Sequence, residues 1–117
     1  MKFEELRRRH IKLADFTTTP GPRYRSDGEF SGQQWREDHL APAVEAASQE
    51  LCFLEVDLDG VDGFATSFVE EAFGGLVRDG TIDVGSLVAL LEIKCDDEPG
   101  IVKHIFGTYI LAQAPQE

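Results

Sequence analysis

Three aspartates lie close together where an apolar run of the sequence ends. In "VDLDGVDG", Asp57 and Asp59 alternate with an apolar residue, and Asp62 follows three residues later. A strand that ends in two such carboxylates is typical of phosphatases in which one Asp attacks phosphorus and the next serves as acid or base. The Thr expected after the glycine is absent, and Val61 and Phe68 at the fifth and twelfth positions exclude a calcium loop. We interpret the aspartates as strand-end carboxylates on a surface turn, with no bound metal.

A loop rich in Gly, Pro, Ser and Thr carries a second set of candidate residues. Its sequence is "TTPGPRYRSDGEFSG", and the residues suited to binding a ligand or a partner are Arg23, Arg25, Ser26 and Asp27. Two guanidinium groups on one side of an extended segment, close to a helix start, suit a phosphate or a partner's carboxylate. Alternatively, an arginine pairs within the protein with one of three aspartates: Asp27, Asp57 or Asp59. The sequence leaves both interpretations open.

The charge of the chain limits its partners. The 117 residues carry a formal net charge of −11; the first 36 carry +3 and the rest carry −14. A contact face of clustered Lys and Arg is lacking, which argues against a nucleic-acid-binding protein. No apolar segment approaches the length of a membrane span, and the N-terminus has no apolar signal core. We expect a cytoplasmic protein in which Cys52 and Cys95 are reduced thiols.

The first half of the chain predicts a strand, a helix and a second strand. "HIKLADF" (residues 10–16) reads as the first strand. Ser31 and Gln34 form a capping-box pattern that starts a helix, and Pro42 kinks or restarts that helix. The second strand is "LCFLEVDL" (residues 51–58), in which apolar residues alternate with Glu and Asp as in a strand with one buried face.

The second half of the chain repeats the order of helix and strand. An amphipathic helix is predicted over residues 67–77, with Ser67 and Glu70 forming another capping box. Its glycines, Gly74 and Gly75, suggest close approach of this helix to the sheet. The elements predicted to follow are a short helical turn (83–89), the strand "LLEIKC" and a final helix opened by Asp97 and Pro99.

This alternation of elements indicates the fold class. Strands joined by helices imply right-handed crossovers and parallel pairing for much of the sheet. We predict an α/β sandwich with a small, mixed or mostly parallel sheet and helices packed on it. Residues 1–117 are expected to form a single domain, with an N-terminal extension at 1–9 and a core at 10–113. Function in such sheets tends to gather where strands end and helices begin.

The turn after the second strand resembles the signature of STAS domains, the fold of bacterial anti-sigma factor antagonists. In "VDLDGVDGFATSFV", Asp57 and Val61 match the Asp and Val of that signature. Thr66 matches the serine that those antagonists have phosphorylated, and Ser67 matches the serine after it. Three stretches, "DFTTTPGPRYRSDGEFSG", "LEVDLDGVDGFATSFVEEAFGGLVR" and "LEIKCDDEP", resemble more closely a STAS-like family of unknown function. The resemblance covers nearly all of residues 16–99 and implies a STAS-like sandwich.

The resemblance also implies a function. It suggests a non-enzymatic, regulatory interaction module that switches between partners and binds a histidine-kinase-like ATPase or a similar protein. The implied phospho-switch or partner surface consists of Thr66, Ser67, Asp57 and Asp59. In the structural alternative, Ser67 caps the helix and Thr66 precedes the cap. The other functions left open are a nucleotide or small-ligand sensor that uses the arginine-containing loop and, less favoured, a phosphoryl-transfer enzyme with Asp57 or Asp59 as nucleophile. No cofactor is expected.

Overall fold

The three strands form one parallel sheet. The computed structural model describes residues 7–115, so residues 1–6 of the predicted N-terminal extension lie outside the described residues. The strands are arranged in the order β1 (Arg8–Lys12), β2 (Phe53–Asp57) and β3 (Leu91–Lys94). Both pairs of neighbours are parallel, with Arg8 opposite Phe53 and Leu54 opposite Leu91. The prediction of an α/β fold with a small, mostly parallel sheet is confirmed.

The first strand ends earlier than predicted, because the chain turns into a helix after Lys12. Residues 13–16 form α1 (Leu13–Phe16), and the Thr17 N–H donates to the Leu13 carbonyl at 3.0 Å. A strand would send Leu13 and Phe16 to opposite faces of the sheet, whereas one helical turn brings both to the same side. Leu13 is fully buried there and Phe16 packs against the core. The prediction of a strand over residues 10–16 is therefore wrong in its second half.

A long helical run begins after Ser31. The Ser31 hydroxyl oxygen accepts a hydrogen bond from the Gln34 N–H at 3.0 Å, as predicted for the helix cap. The run consists of α2 (Gly32–Trp35), a π-helical turn (Arg36–Leu40) and α3 (Ala41–Glu50). The π-helical turn ends two residues before Pro42, which lies in the first turn of α3 and has no N–H to donate. Pro42 thus restarts the α-helical pattern, as predicted.

The longest helix, α4 (Thr66–Arg78), follows β2 and begins without a side-chain cap. Ala65 occupies the N-cap position, so Ser67 lies inside the first turn. The Glu70 carboxylate binds arginine side chains instead of a backbone N–H at the helix start. Both the capping box of Ser67 with Glu70 and the role of Ser67 as cap are therefore wrong. The remaining elements are α5 (Val84–Leu90), α6 (Gly100–His104), a second π-helical turn (Ile105–Ile110) and a 3-10 turn (Leu111–Gln113).

The helices cover one face of the sheet. Along β2, Leu54 and Val56 are fully buried, whereas Phe53 on the opposite face is only partly buried. On that second face the Arg8 guanidinium lies over the Phe53 ring and donates to the Glu92 carboxylate at 2.6 Å. The sheet therefore has one apolar face against the helical layer and one face of charged pairs. Among residues 7–115, no helix is long and apolar enough to span a membrane.

Helices α2 and α4 cross at close range because Gly32 has no side chain. A β-carbon at Gly32 would lie 2.4 Å from the carbonyl oxygen of Phe68 in α4. Next to this crossing, the Trp35 ring stacks on Phe68 with 6.1 Å between ring centroids and meets Phe73 edge-on at 5.9 Å. All three rings are buried in the core. The crossing therefore fixes the position of the start of α4 against α2.

Candidate functional site at the carboxyl ends of the strands

The Thr66 turn, residues 58–67, links β2 to α4 at the carboxyl end of the sheet and includes the first two residues of α4. At its beginning, the Leu58 N–H donates to the Lys94 carbonyl of β3 at 2.8 Å. In its middle, the Asp62 N–H donates to the carbonyl of Thr18, in the loop that carries the two arginines, at 2.8 Å. The structure therefore connects the two regions that the sequence singled out. Backbone hydrogen bonds on both sides hold the turn in place.

Asp59 anchors the Thr66 turn to the end of β3. Its carboxylate accepts from the Lys94 ammonium at 2.8 Å and from the Asp97 N–H at 2.8 Å. The Lys94 ammonium and the backbone N–H groups lower the pKa of Asp59 to about 2. Asp57 accepts from the Asp59 N–H at 2.9 Å, and Asp97 accepts from the Gly60 N–H at 3.1 Å. These carboxylates shape the turn, which agrees with their interpretation as strand-end residues.

Replacement of Asp59 by Asn should destabilise the protein at neutral pH and have little effect in strong acid. The folded-state pKa of Asp59 lies below its usual value of 3.8, so its contribution to stability is present above about pH 4. That contribution is lost as the pH falls through the folded-state pKa of about 2, below which the carboxylate is protonated in both states. Urea unfolding of the parent and Asp59→Asn at several pH values measures the difference, and NMR titration gives the pKa directly.

Asp62→Asn is the control for this experiment, because Asp62 lies in the same turn with an exposed side chain. It should leave the stability nearly unchanged at every pH. A constant stability difference between the parent and Asp59→Asn from neutral pH down to strong acid would contradict the ionic role of Asp59.

Thr66 is accessible at the first residue of α4. Ala65, the N-cap, provides no side-chain acceptor, and its carbonyl accepts from the N–H groups of Phe68 and Val69. Thr66 is exposed and Ser67 is partly buried. Phe68 points into the core against Trp35, so its large ring stays clear of the surface. A hydroxyl at this position can be reached by a modifying enzyme or a partner protein.

The two arginines of the loop bind carboxylates of the helical layer. Arg23 donates to Glu70 at 2.5 Å and to Glu71 at 3.4 Å, both in α4. Arg25 binds the first π-helical turn, where its partners are Glu37 at 2.9 Å and Asp38 at 2.8 Å. The predicted internal partners Asp27, Asp57 and Asp59 are therefore wrong, although internal pairing itself is observed. Ser26 and Asp27 are exposed in a 3-10 turn (Arg25–Asp27).

Sequence reasoning missed Arg36, which forms the buried centre of an ion-pair cluster. Its guanidinium donates to the Glu71 carboxylate, to the Glu71 carbonyl at 2.7 Å and to Asp79 at 3.2 Å. The side chains of Arg36 and Glu71 are only 7% and 8% exposed. Arg78 donates to Glu71 at 3.1 Å and to Glu70 at 2.5 Å. The first π-helical turn, α4 and the arginine-containing loop are thereby joined through charged groups.

The paired glycines of α4 accommodate this cluster. A β-carbon at Gly75 would lie 2.2 Å from a guanidinium nitrogen of Arg36, and one at Gly74 would lie 3.1 Å from the Tyr109 carbonyl oxygen. The close approach is therefore to Arg36 and to the second π-helical turn, and the prediction of close approach to the sheet is wrong. Two adjacent glycines inside a helix were the one sequence signal that could have revealed the buried arginine.

The described residues do not form a metal site. Among residues 7–115, no group of three or more His, Cys, Asp and Glu side chains is placed to hold a metal ion. The Asp59 carboxylate binds the Lys94 ammonium and the Asp97 N–H, one at each oxygen. The Asp59 carboxylate therefore acts as an anchor of the Thr66 turn in this structure.

A three-stranded parallel sheet with helices on one face, and a strand that leads through the Thr66 turn into the longest helix, define an α/β domain. Residues 31–99 match the family described as "STAS-like domain of unknown function (DUF4325)", and the chain belongs to that family. The prediction of the family is confirmed. The match begins at Ser31, so Arg23 and Arg25 lie before it.

Neither a curated protein nor a solved structure gave a significant match to the chain.

Proposed function

We propose that this domain is a non-enzymatic protein-interaction module, a regulatory component of bacterial partner-switching type. Its partner in this proposal is a histidine-kinase-like ATPase or a similar protein, bound by the Thr66 turn and the start of α4. The observation that carries the proposal is the position of Thr66, exposed at the first residue of a helix whose N-cap has no side-chain acceptor.

A phosphate on Thr66 would change the surface without disturbing the core. It would add nearly two negative charges at neutral pH, and the dipole of α4 favours negative charge at this end. The same phosphate would stand in a turn that already carries Asp59 and Asp62 and that follows Asp57 at the end of β2. It would therefore repel an acidic partner surface while the domain stays folded.

The two other functions have less support from the geometry. A nucleotide sensor needs guanidinium groups that are free to bind phosphate, whereas Arg23 and Arg25 already bind carboxylates. A phosphoryl-transfer enzyme needs Asp57 or Asp59 directed at a substrate phosphate as nucleophile. In this structure Asp59 binds Lys94 and the Asp97 N–H, and Asp57 accepts from the Asp59 N–H.

Thr66→Glu should abolish binding of the partner while the domain remains folded. The added charge mimics part of a phosphate, and like charges at an interface cost enough to lower recovery at least about tenfold. Native affinity purification with mass spectrometry compares the parent and Thr66→Glu as baits. The thermal stability should be nearly unchanged, because Glu is well tolerated in the first turn of a helix.

Two control variants separate the charge from its position. Thr66→Val removes the hydroxyl without adding charge, so it should still bind the partner. Thr108→Glu adds the same charge at another exposed threonine, in the second π-helical turn, and should also bind. Equal recovery of one specific partner by the parent and Thr66→Glu would refute a switch at this turn.

A further inference from the structure

A cavity of about 410 Å³ lies at the edge of the sheet opposite the Thr66 turn. It opens where the strands begin, between the end of α3 and the end of α5. The residues that line it are mainly apolar: Ala47, Leu51, Cys52, Phe53, Ala89 and Leu90. An apolar hollow of this kind is suited to an apolar side chain from another molecule.

Leu51 projects from the rim of this cavity at a cost to the isolated chain. It ends α3 in the left-handed conformation, with φ of 55° and ψ of 47°, a position that Gly or Asn usually occupies. Its side chain is 93% exposed, so it gains almost no burial from the described residues. A leucine here is unfavourable for both its backbone conformation and its exposure. Contact with another molecule would offset both costs.

A second copy of the chain is complementary to this edge. In a two-fold symmetric dimer the same patch of both copies must fit itself. Here the projecting side chain and the hollow belong to one patch, because Leu51 itself lines the cavity. The Leu51 side chain of each copy can therefore enter the cavity of the other.

The charges beside Leu51 and the cavity also match. Glu50 precedes Leu51 and is held by the Arg9 guanidinium at 2.6 Å, whereas Arg7 lines the cavity. Because Glu50 is next to Leu51 and Arg7 lines the cavity, entry of Leu51 into the cavity of a second copy would bring Glu50 towards the Arg7 of that copy. The two contacts of a symmetric dimer would each pair opposite charges.

We propose that the chain forms a two-fold symmetric homodimer through this edge, with Leu51 of each copy in the cavity of the other. The dimer uses the amino end of the sheet and leaves the Thr66 turn at the carboxyl end free. It is therefore independent of the proposed switch.

Sedimentation equilibrium of the full chain tests the dimer, in buffer of about 150 mM salt so that the net charge of the copies is screened. The parent should associate reversibly to a dimer. Leu51→Asn should raise the dissociation constant about tenfold or more, because a buried leucine side chain is lost. Asn tolerates the left-handed conformation, so this variant should stay folded. Leu111→Asn, at another exposed leucine, is the matched control and should dimerise like the parent.

A charge exchange identifies the second copy as the partner. Arg7→Glu alone and Glu50→Arg alone should each associate more weakly than the parent, because like charges would meet at both contacts. An equimolar mixture of the two variants should form a heterodimer, in which both contacts again pair opposite charges. A parent that stays monomeric at high concentration, or an association that Leu51→Asn leaves unchanged, would overturn the proposal. Either result would mean that this cavity is not an interface between two copies of the chain.

Discussion

Replacement of Glu71 by Gln should lower the free energy of unfolding by about 3–5 kcal/mol, the usual cost of removing one partner of a buried ion pair. Glu71 binds the buried Arg36 through both its carboxylate and its carbonyl, and its carboxylate also accepts from Arg78. Without that negative charge, the buried Arg36 guanidinium keeps only partly exposed carboxylates, chiefly Asp79 at 3.2 Å, as charged partners. A domain of this size has about 5–15 kcal/mol of total stability, so a large part of it would be lost.

Urea unfolding at neutral pH measures this loss. Glu37→Gln is the matched control, because Glu37 also accepts from an arginine but its side chain is 41% exposed. This control should cost about 0–1 kcal/mol, as is usual for an exposed pair. If both variants lose the same small amount, the ion pair of Arg36 with Glu71 contributes little to stability. The double replacement Arg36→Leu, Glu71→Met should recover much of the stability, since an apolar pair needs no compensation of charge.

Gly32→Ala should destabilise the protein by about 2–3 kcal/mol, although Ala is the better helix former. The new β-carbon would lie 2.4 Å from the Phe68 carbonyl oxygen, and a backbone atom in the middle of the core cannot move aside as a flexible side chain can. Helices α2 and α4 would have to separate, which would disturb the stack of Trp35 on Phe68. Thermal unfolding followed by the near-UV signal of Trp35 would record both effects.

Gly107→Ala provides the comparison for this experiment. Gly107 also lies in a helical segment, but a β-carbon there meets no atom within 4 Å. The expected effect is no change or a gain of about 0.4–1 kcal/mol, because Ala restricts the unfolded chain. A loss of stability in Gly107→Ala as large as that in Gly32→Ala would indicate that the contact with Phe68 is unimportant.

The sequence predicted the sheet and the start of α2 well, because strand alternation and helix capping depend on residues that are close together in the sequence. Alternation in residues 51–58 identified β2, and the pair Ser31 and Gln34 identified the start of α2. The same local reasoning failed at residues 13–16. Their apolar residues fit the pattern of a strand, but they form a helical turn that buries Leu13. It also failed at the start of α4, where Ser67 had the right type and spacing for a cap but Thr66 had already begun the helix.

The candidate site could be located from the sequence, but its contacts could not. The order of strand, turn and helix placed Thr66 and the aspartates at the carboxyl end of the sheet. The partners of Arg23 come from α4, 47 residues later in the chain, so their proximity depends on the crossing of α2 and α4. Many carboxylates in the chain are equally plausible partners for an arginine when only spacing is known. For the same reason, the sequence could not predict that Arg36 is buried and paired with Glu71 and Asp79.

The parallel sheet also determines how the chain has to fold. Arg8 pairs with Phe53 and Leu54 with Leu91, so each strand pair closes a loop of about 40 residues, which is slow compared with contacts within a helix. Helix α4 can form its first turns early, but neither pair of strands can form before distant parts of the chain meet. Because β2 takes part in both closures, the sheet is complete only after this central strand has paired with both β1 and β3.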